Sequence, residues 1–472
     1  MKLIIDLYEL TMANALFSEG DYNKIAYFDL YFRSIPENGG FAITAGLAQV
    51  IERLETFQFS TEDIEFLRSK EMFTDSFLAY LAEFKLECDI WAISEGTPVF
   101  PNEPLIIVRG PMIQAQILET ILLLHVNHQS LIATKANKMV RAAEGRTVFE
   151  FGARRAHGES SALYGARAAF IGGCSGTSCV EAEKAFGIPS FGTMAHSWVQ
   201  FFDDEYLAFS KYADKYPDSC SLLLDTYNVL ESGIYNAIKI HKDILVPRGH
   251  RLKSVRIDSG DITYLSKKIR VLLDNNELND CKIIASNALD EGIIKECVSD
   301  GAKIDIFGVG ERLITAYPQP VFGCVYKLVA VENDGRIIPK MKISENIGKI
   351  TTPGFKNVFR LFSNDDGMAV ADIVTLHDEK IACPYKIFNP NYTWKKKIMS
   401  NFTAEQLLIK IFSKGKRVYD SPSVEEIQKS CTAQVAHLWD EIQRFNNPHE
   451  YYVDLSENLW ELRRSMLRQE RE

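Results

Sequence analysis

No two of the nine cysteines, spread from Cys88 to Cys431, stand at CxxC spacing. Cys174 and Cys179 come closest, and no second ligand pair accompanies them. The pattern suggests neither a zinc knuckle nor a disulfide framework, so the thiols read as reduced and the setting as cytosolic. A long apolar run is also missing. The most apolar stretch, PLIIVRGPMIQAQILETILLLHV, is broken by Arg109, Gln114, Gln116 and Glu119 and is too polar to span a bilayer. The N-terminal MKLIIDLYEL has no basic region ahead of an apolar one, so no secretory leader is expected. Positive charge is in deficit, with 53 Lys and Arg against 63 Asp and Glu. That balance argues against a general nucleic-acid or anionic-membrane binder, and any anionic substrate must be met by cations gathered in one pocket. Low-complexity linkers, short repeats, HExxH motifs and a nucleophile–base pair are all absent.

What is present is a recurring order of elements in a chain of 472 residues, 46% of them apolar, enough for two or three cores. SLLLDTYNVLESGIYNAIKI, KSVRIDSGDITYLSKKIRVLL, KIIASNALDEGIIKECVSDG and KIDIFGVGERLITA each open with a short apolar strand followed by polar or glycine-rich residues. The first three continue into helical periodicity. In the second, Leu265, Ile269, Leu272 and Leu273 fall on one helix face. Strand, polar loop, helix and strand again predict an α/β fold with parallel strands. With Asp225, Asp258, Asn287 and Gly308 as markers, the units recur at 33, 29 and 21 residues. That cadence fits a parallel β/α barrel, whose site gathers at the C-terminal strand ends. A doubly wound sheet gives a similar pattern but concentrates its chemistry at one switch point. The region before residue 120 mixes a strand over 25–33 with helix over 61–84 and shows no recurring unit.

The strand ends carry Gly152, Arg154 and Arg155; Thr193 and His196; Asp225; Arg256 and Asp258; Ser286 and Asn287; Gly308 and Gly310. In SVRID, Arg256 and Asp258 share one strand face while Val255 and Ile257 share the other. A structural ion pair would explain the charged couple, but Ser259-Gly260-Asp261 directly after it favours a site. Glycines beside helix starts let backbone N–H groups approach phosphate, and arginines offer forked donors to phosphate or carboxylate. GVG alone also suits a plain turn. His196, in FGTMAHSWVQFF, has surroundings that alone fit a packed core histidine. Taken together the set suits a site that positions anions for transfer of a phosphorylated group.

DLYELTMANALF, YFRSIPENGGFAITAGL, EFGARRAHG, FGTMAHSWVQ, LLLDTYNVLESG, VRIDSGDI, ASNALDE, FGVGERLITA, GCVYKLVAV and the tail NPHEYYVDLSENLWELRRSML resemble, in order and spacing, the nicotinate phosphoribosyltransferase family. The resemblance covers nearly the whole chain. The related nicotinamide enzyme and quinolinate phosphoribosyltransferase share the barrel type but match less closely. The resemblance implies an irregular parallel β/α barrel over residues 121–350. It also implies an additional α+β domain built from residues 1–120, with the C-terminal region 351–472 packing against it.

By resemblance, the chain is a cytoplasmic enzyme of NAD salvage. It would join nicotinate to the ribose C1 of phosphoribosyl pyrophosphate, releasing pyrophosphate and giving nicotinate mononucleotide. ATP hydrolysis would be coupled through a phosphohistidine at His196, with Mg2+ accompanying pyrophosphate and ATP and no metal held by the protein alone. A homodimer with shared active sites is implied, Tyr8 of one subunit stacking on the pyridine held by the other. The alternative is that Tyr8 is only an aromatic of the first helix. Arg154, with Arg155 beside it, is placed near nicotinate and the phosphates. Arg256 becomes the partner of the carboxylate or the ribosyl phosphate, with Thr193 near the same substrate.

Asp258 would stabilise positive charge as the C1–pyrophosphate bond breaks, and the pyridine nitrogen needs no protein base. Asp225 orients His196, binds ribose hydroxyls or is structural. Ser286, Asn287, Gly308 and Gly310 are further substrate contacts. Ser178 stands where the nicotinamide enzyme has aspartate, though it also fits a tight turn. His157 and Glu311 depart from the expected glutamine and small or hydroxyl residue. A second reading is a catalytically silent barrel that binds NAD precursors as a regulator; the presence of His196, Arg256 and Asp258 weighs against it.

Overall fold

Strands from the two ends of the chain pair with each other. A computed structural model describes residues 3–469. In it the strand Ile25–Tyr31 lies antiparallel between Val325–Asn333 and Ile106–Pro111. These belong to a seven-stranded sheet that continues through Asp89–Ile93 to Leu408–Ser413. A second sheet orders Phe402–Gln406, Lys356–Ser363, Ala369–Leu376 and Val453–Leu455. Its central hairpin buries Arg360 against Asp372, cross-strand partners 2.6 Å apart. Removing either member would strand a buried charge, a strongly destabilising change.

Met1–Leu131 and Val321–Glu472 therefore form one unit and Ile132–Pro320 the other. The sequence placed these boundaries at 120 and 350. The later boundary falls at 320 because Val325–Asn333 finds its partner in Ile25–Tyr31, a pairing that no local pattern announces.

The helix expected over 61–84 is two helices, Thr61–Ser69 and Asp75–Ala82. Ser60 forms a capping box with Asp63, and Thr74 accepts the Phe77 N–H to start the second helix. Glu71, at φ 54°, turns the chain between them. The first helix, Leu7–Ser18, buries Leu10 and Ala13 and leaves Leu7, Tyr8 and Met12 exposed. Among the described residues no helix is long and apolar enough to cross a membrane.

The second unit carries the recurring strands. Five of them, Thr147–Glu150, Ile306–Val309, Lys282–Ser286, Ser254–Ile257 and Ser221–Leu223, form a parallel sheet in that order. Single parallel bridges from Glu150 to Thr177 and from Thr177 to Ser190 extend its edge. Val255 and Ile257 are wholly buried while Arg256 turns to the other face, as the period-two reading requires. After Ile257 the chain turns through Gly260, at φ 80°, and Asp261 caps the next helix by accepting the Tyr264 N–H at 2.9 Å. That helix, Ile262–Asp274, buries Ile269 and Leu273 and half-buries Leu265 and Leu272. Because all five strands run the same way, their C-terminal ends and following loops gather at one edge of the sheet.

Candidate active site

That edge holds a cavity of about 380 Å³, within the usual range for a small ligand. Its lining includes every strand-end residue named from the sequence except Gly152 and Asp225, and Ser178 joins them. Tyr8 belongs to the other unit, and His157 is exposed and does not line the cavity.

Arg256 organises one wall. Its Nε donates to Ser286 Oγ at 2.9 Å, Nη1 to Thr193 Oγ1 at 3.0 Å and Nη2 to Asp258 Oδ1 at 2.7 Å. Ser286 also donates to Asp258 Oδ1, closing a triangle. Burial pushes the Asp258 carboxyl up, but the Ser286 hydroxyl, the Arg256 guanidinium and His196 outweigh it and hold the group below the usual carboxylate range. The next two residues after Ser286, Asn287 and Ala288, sit at φ 91° and 42°. Non-glycine residues rarely occupy that region, so the loop is strained where it lines the cavity.

An aromatic cluster forms the floor. The rings of Phe151 and Phe191 are nearly parallel, 5° between planes and 6.2 Å between centroids, and Phe149 stacks on Phe191 at 4.6 Å. The Arg256 guanidinium carbon lies 6.0 Å from the Phe151 centroid, at the limit for cation–π attraction. A Cβ on Gly308 would lie 2.5 Å from the Phe151 ring, so this glycine makes room for an aromatic side chain.

His196 opens the short helix His196–Gln200, and its side chain is 41% exposed. Its Nδ1 lies 3.1 Å from Thr226 Oγ1. Nε2 faces two carboxylates, Asp258 Oδ2 at 3.8 Å and Asp225 Oδ1 at 3.9 Å. The Asp225 side chain is buried, and its Oδ2 accepts from the Asp258 N–H at 3.1 Å and from Ser259 Oγ at 2.5 Å. Its Oδ1 has no hydrogen-bond partner among the described residues. The core-histidine alternative does not describe this exposed ring.

The two arginines after Gly152 differ. Arg155 Nε lies 3.8 Å from Glu311 Oε2, so Glu311 turns towards a cation. Arg154 lines the cavity and makes no ion pair or hydrogen bond among the described residues. Sequence reasoning missed Phe151, Phe191 and Thr226. Phe151 and Thr226 each sit directly beside a residue it did select, Gly152 and Asp225, and aromatic or hydroxyl character next to a strand end was the available signal.

Fold and pocket together define an α/β protein whose parallel strands hold cations, carboxylates and an exposed histidine around one ligand-sized cavity. Three sequence profiles sharpen that class. The nicotinate phosphoribosyltransferase (NAPRTase) family matches residues 147–365, its N-terminal domain residues 3–127 and its C-terminal domain residues 355–463. The chain is 42% identical to the nicotinate phosphoribosyltransferase of Bacillus subtilis, covering 98% of this chain and 94% of that one. It is 30% identical to the human nicotinate phosphoribosyltransferase, over 98% and 96%. The crystal structure of human nicotinic acid phosphoribosyltransferase superposes with a TM-score of 0.87 at 29% identity, covering 98% of this chain and 100% of that one. A nicotinate-nucleotide pyrophosphorylase from Pyrococcus furiosus follows at 0.70 and 26%, over 92% and 94%. The chain belongs to the nicotinate phosphoribosyltransferase family.

Proposed function

We propose that this chain transfers the 5-phosphoribosyl group of phosphoribosyl pyrophosphate to nicotinate, giving nicotinate mononucleotide and pyrophosphate. The observation that carries the reading is the Arg256–Ser286–Asp258 triangle set beside the Phe151 ring in a ligand-sized cavity. In the reaction the pyridine nitrogen lone pair forms the bond to C1, and the C1–O bond breaks with its electron pair leaving on pyrophosphate. No proton has to move, so catalysis rests on orientation and fixed charge. Asp258 supplies negative charge for the cationic ribose. Phe151 offers a flat apolar face for the ring. Arg154, whose guanidinium makes no ion pair or hydrogen bond among the described residues, is a cation available to a carboxylate, whereas Arg256 is already held by three acceptors.

His196 is the residue that takes a phosphoryl group from ATP. With Nδ1 engaged by Thr226, Nε2 is the nitrogen whose lone pair would attack the γ-phosphorus, the P–O bond breaking so that ADP leaves with its electron pair. Magnesium fits here: the unpartnered Asp225 Oδ1 and the nearby Asp258 Oδ2 are hard oxygen ligands. No cluster of three metal-ligating side chains occurs among the described residues, so phosphate and water would complete the shell. An ion held there would neutralise phosphate charge and ease departure of the leaving group.

The parallel sheet with its two bridged extensions supports an irregular barrel for residues 132–320. The exposed apolar residues Leu7, Tyr8 and Met12 support a homodimer in which Tyr8 completes the partner's site. Nine free cysteines suit a cytoplasmic setting. Incubation with nicotinate, phosphoribosyl pyrophosphate, ATP and magnesium tests the reading. Mononucleotide formation is expected. A protein that binds the precursors and forms none would instead be the silent regulator.

A further inference from the structure

Glu150 ends the strand Thr147–Glu150, is wholly buried, and directly precedes Phe151 of the cavity floor. Its carboxylate reaches two ways. One oxygen accepts the backbone N–H of Gly152, the other the Thr177 hydroxyl at 2.6 Å. Its backbone grips the same second segment, since the Ser178 N–H donates to the Glu150 carbonyl at 2.8 Å and the Glu150 N–H to the Gly176 carbonyl at 3.0 Å. Thr177 is buried too and passes the anchor on. Its Oγ1 accepts the Cys179 N–H at 3.0 Å and its carbonyl accepts the Phe191 N–H at 2.8 Å. Both flanking glycines are required by close approach: a Cβ on Gly152 would lie 2.7 Å from the Glu150 carboxylate, and one on Gly176 2.4 Å from the Pro189 carbonyl oxygen.

Burial pushes the Glu150 carboxyl up, against the two hydrogen bonds that favour its charged form. A carboxylate persists in such a place only when its oxygens are bonded. The Gly152 N–H can only donate, and the Thr177 oxygen already accepts from Cys179 while its hydroxyl donates. An acceptor at both ends is what the site uses, and a carboxylate alone provides two.

We propose that Glu150 is a positioning residue that fixes the Ser178 turn against the turn leading to Arg154, and so sets the preference for a pyridine carboxylate over the corresponding amide. This rests on the phosphoribosyltransferase reading above. The two turns present a neutral donor and an unengaged guanidinium to the same cavity, and Glu150 is bonded to both. Loosening it would let the two groups drift while leaving the Arg256–Ser286–Asp258 wall untouched.

The test compares Glu150→Ala, Glu150→Gln and Thr177→Val with the wild-type chain, using nicotinate, nicotinamide and phosphoribosyl pyrophosphate. Glu150→Ala is expected to raise the nicotinate KM and to lower the nicotinate-to-nicotinamide ratio of kcat/KM, each about tenfold, with the phosphoribosyl pyrophosphate KM within about twofold. Glu150→Gln keeps one acceptor and should fall between. Thr177→Val keeps the side-chain shape and should shift selectivity the same way, and the double variant should be no worse than Glu150→Ala alone, because the two act as one unit. If Glu150→Ala fails to fold, Glu150→Gln and Thr177→Val decide the matter. Unchanged selectivity in those two, or losses that simply add, overturns the positioning role while leaving the phosphoribosyltransferase reading standing. A wild-type chain that forms no mononucleotide overturns both.

Discussion

Arg256 and Asp258, two residues apart at one strand end, are tied twice: by a direct 2.7 Å contact and through the Ser286 hydroxyl that touches both. The folded-state pKa of Asp258 is thereby lowered from its ordinary 3.8. A lowered carboxyl contributes its stabilisation above the unfolded value and loses it only as pH falls through the folded one, so the group is an anion throughout the neutral range. Asp258→Asn keeps the shape and removes the charge. We expect kcat to fall about 10²- to 10³-fold, as when one preorganised electrostatic group is lost, with little change in the nicotinate KM. Steady-state kinetics check this, and an equal rise in KM would mark Asp258 as a binding group instead.

Much of this wall was legible because strand, polar loop and helix follow one another locally, and a period of two puts Arg256 and Asp258 on one face. Thr193 and Ser286 were selected as strand-end residues, but their hydrogen bonds to Arg256 were not legible. Thr193 and Ser286 lie 63 and 30 residues from Arg256, Ser286 brought in by a parallel strand register that no local pattern specifies and Thr193 by the loop ahead of His196. Gly308 was chosen as a phosphate glycine, and the structure gives it a packing reason in Phe151. Glu150 sat in a quoted motif without a role because its partner, Thr177, is reached only across a sheet edge. The later domain boundary moved for the same kind of reason, a strand at 325–333 completing a sheet begun at 25–31.

His196→Asn should abolish uptake of an acid-labile phosphate from ATP and uncouple ATP hydrolysis from transfer. The Arg256–Ser286–Asp258 triangle makes no hydrogen bond to His196, whose ring stays 3.8 Å from Asp258, so slow ATP-independent transfer should survive. Retention of one labile phosphate per chain would assign the role to a different histidine.

Tyr8 stands 45% exposed on the first helix, beside exposed Leu7 and Met12. Mixing inactive Tyr8→Ala chains with inactive Asp258→Asn chains should restore activity at one of the two sites of each mixed dimer. No recovery, with dimer exchange confirmed, would place Tyr8 at the site of its own chain.

Asp454, 3% exposed on the strand Val453–Leu455, has its carboxyl pushed up to about 7 by burial, against the Phe388 N–H that lowers it. A raised folded-state pKa means that stability is fullest below the ordinary value of 3.8 and is lost as pH rises through about 7. Asparagine has a similar shape and does not titrate. Asp454→Asn should therefore gain on wild type by about 2 kcal/mol between roughly pH 5 and pH 8. Urea unfolding at the two pH values measures it, and a gap that narrows on going alkaline would contradict the assignment.

We propose that Ser178 selects which pyridine is accepted. Its N–H is fixed on the Glu150 carbonyl, its side chain is exposed at the cavity, and the unengaged Arg154 lines the same space. A neutral hydroxyl can donate to a carboxylate, whereas an aspartate there would accept from an amide N–H₂ and repel the acid. A charge-assisted hydrogen bond contributes about 1.5–3 kcal/mol, which is about 10- to 150-fold in selectivity. Ser178→Asp should depress nicotinate kcat/KM by that order and leave the phosphoribosyl pyrophosphate KM nearly unchanged, because the Arg256 wall is not altered. The tight-turn alternative predicts otherwise. Ser178 holds its turn through its backbone N–H, which aspartate retains, so a purely structural serine would leave nicotinate kinetics as they are. Unchanged kinetics in the variant, or a wild-type preference for nicotinamide, would remove Ser178 from the selectivity argument.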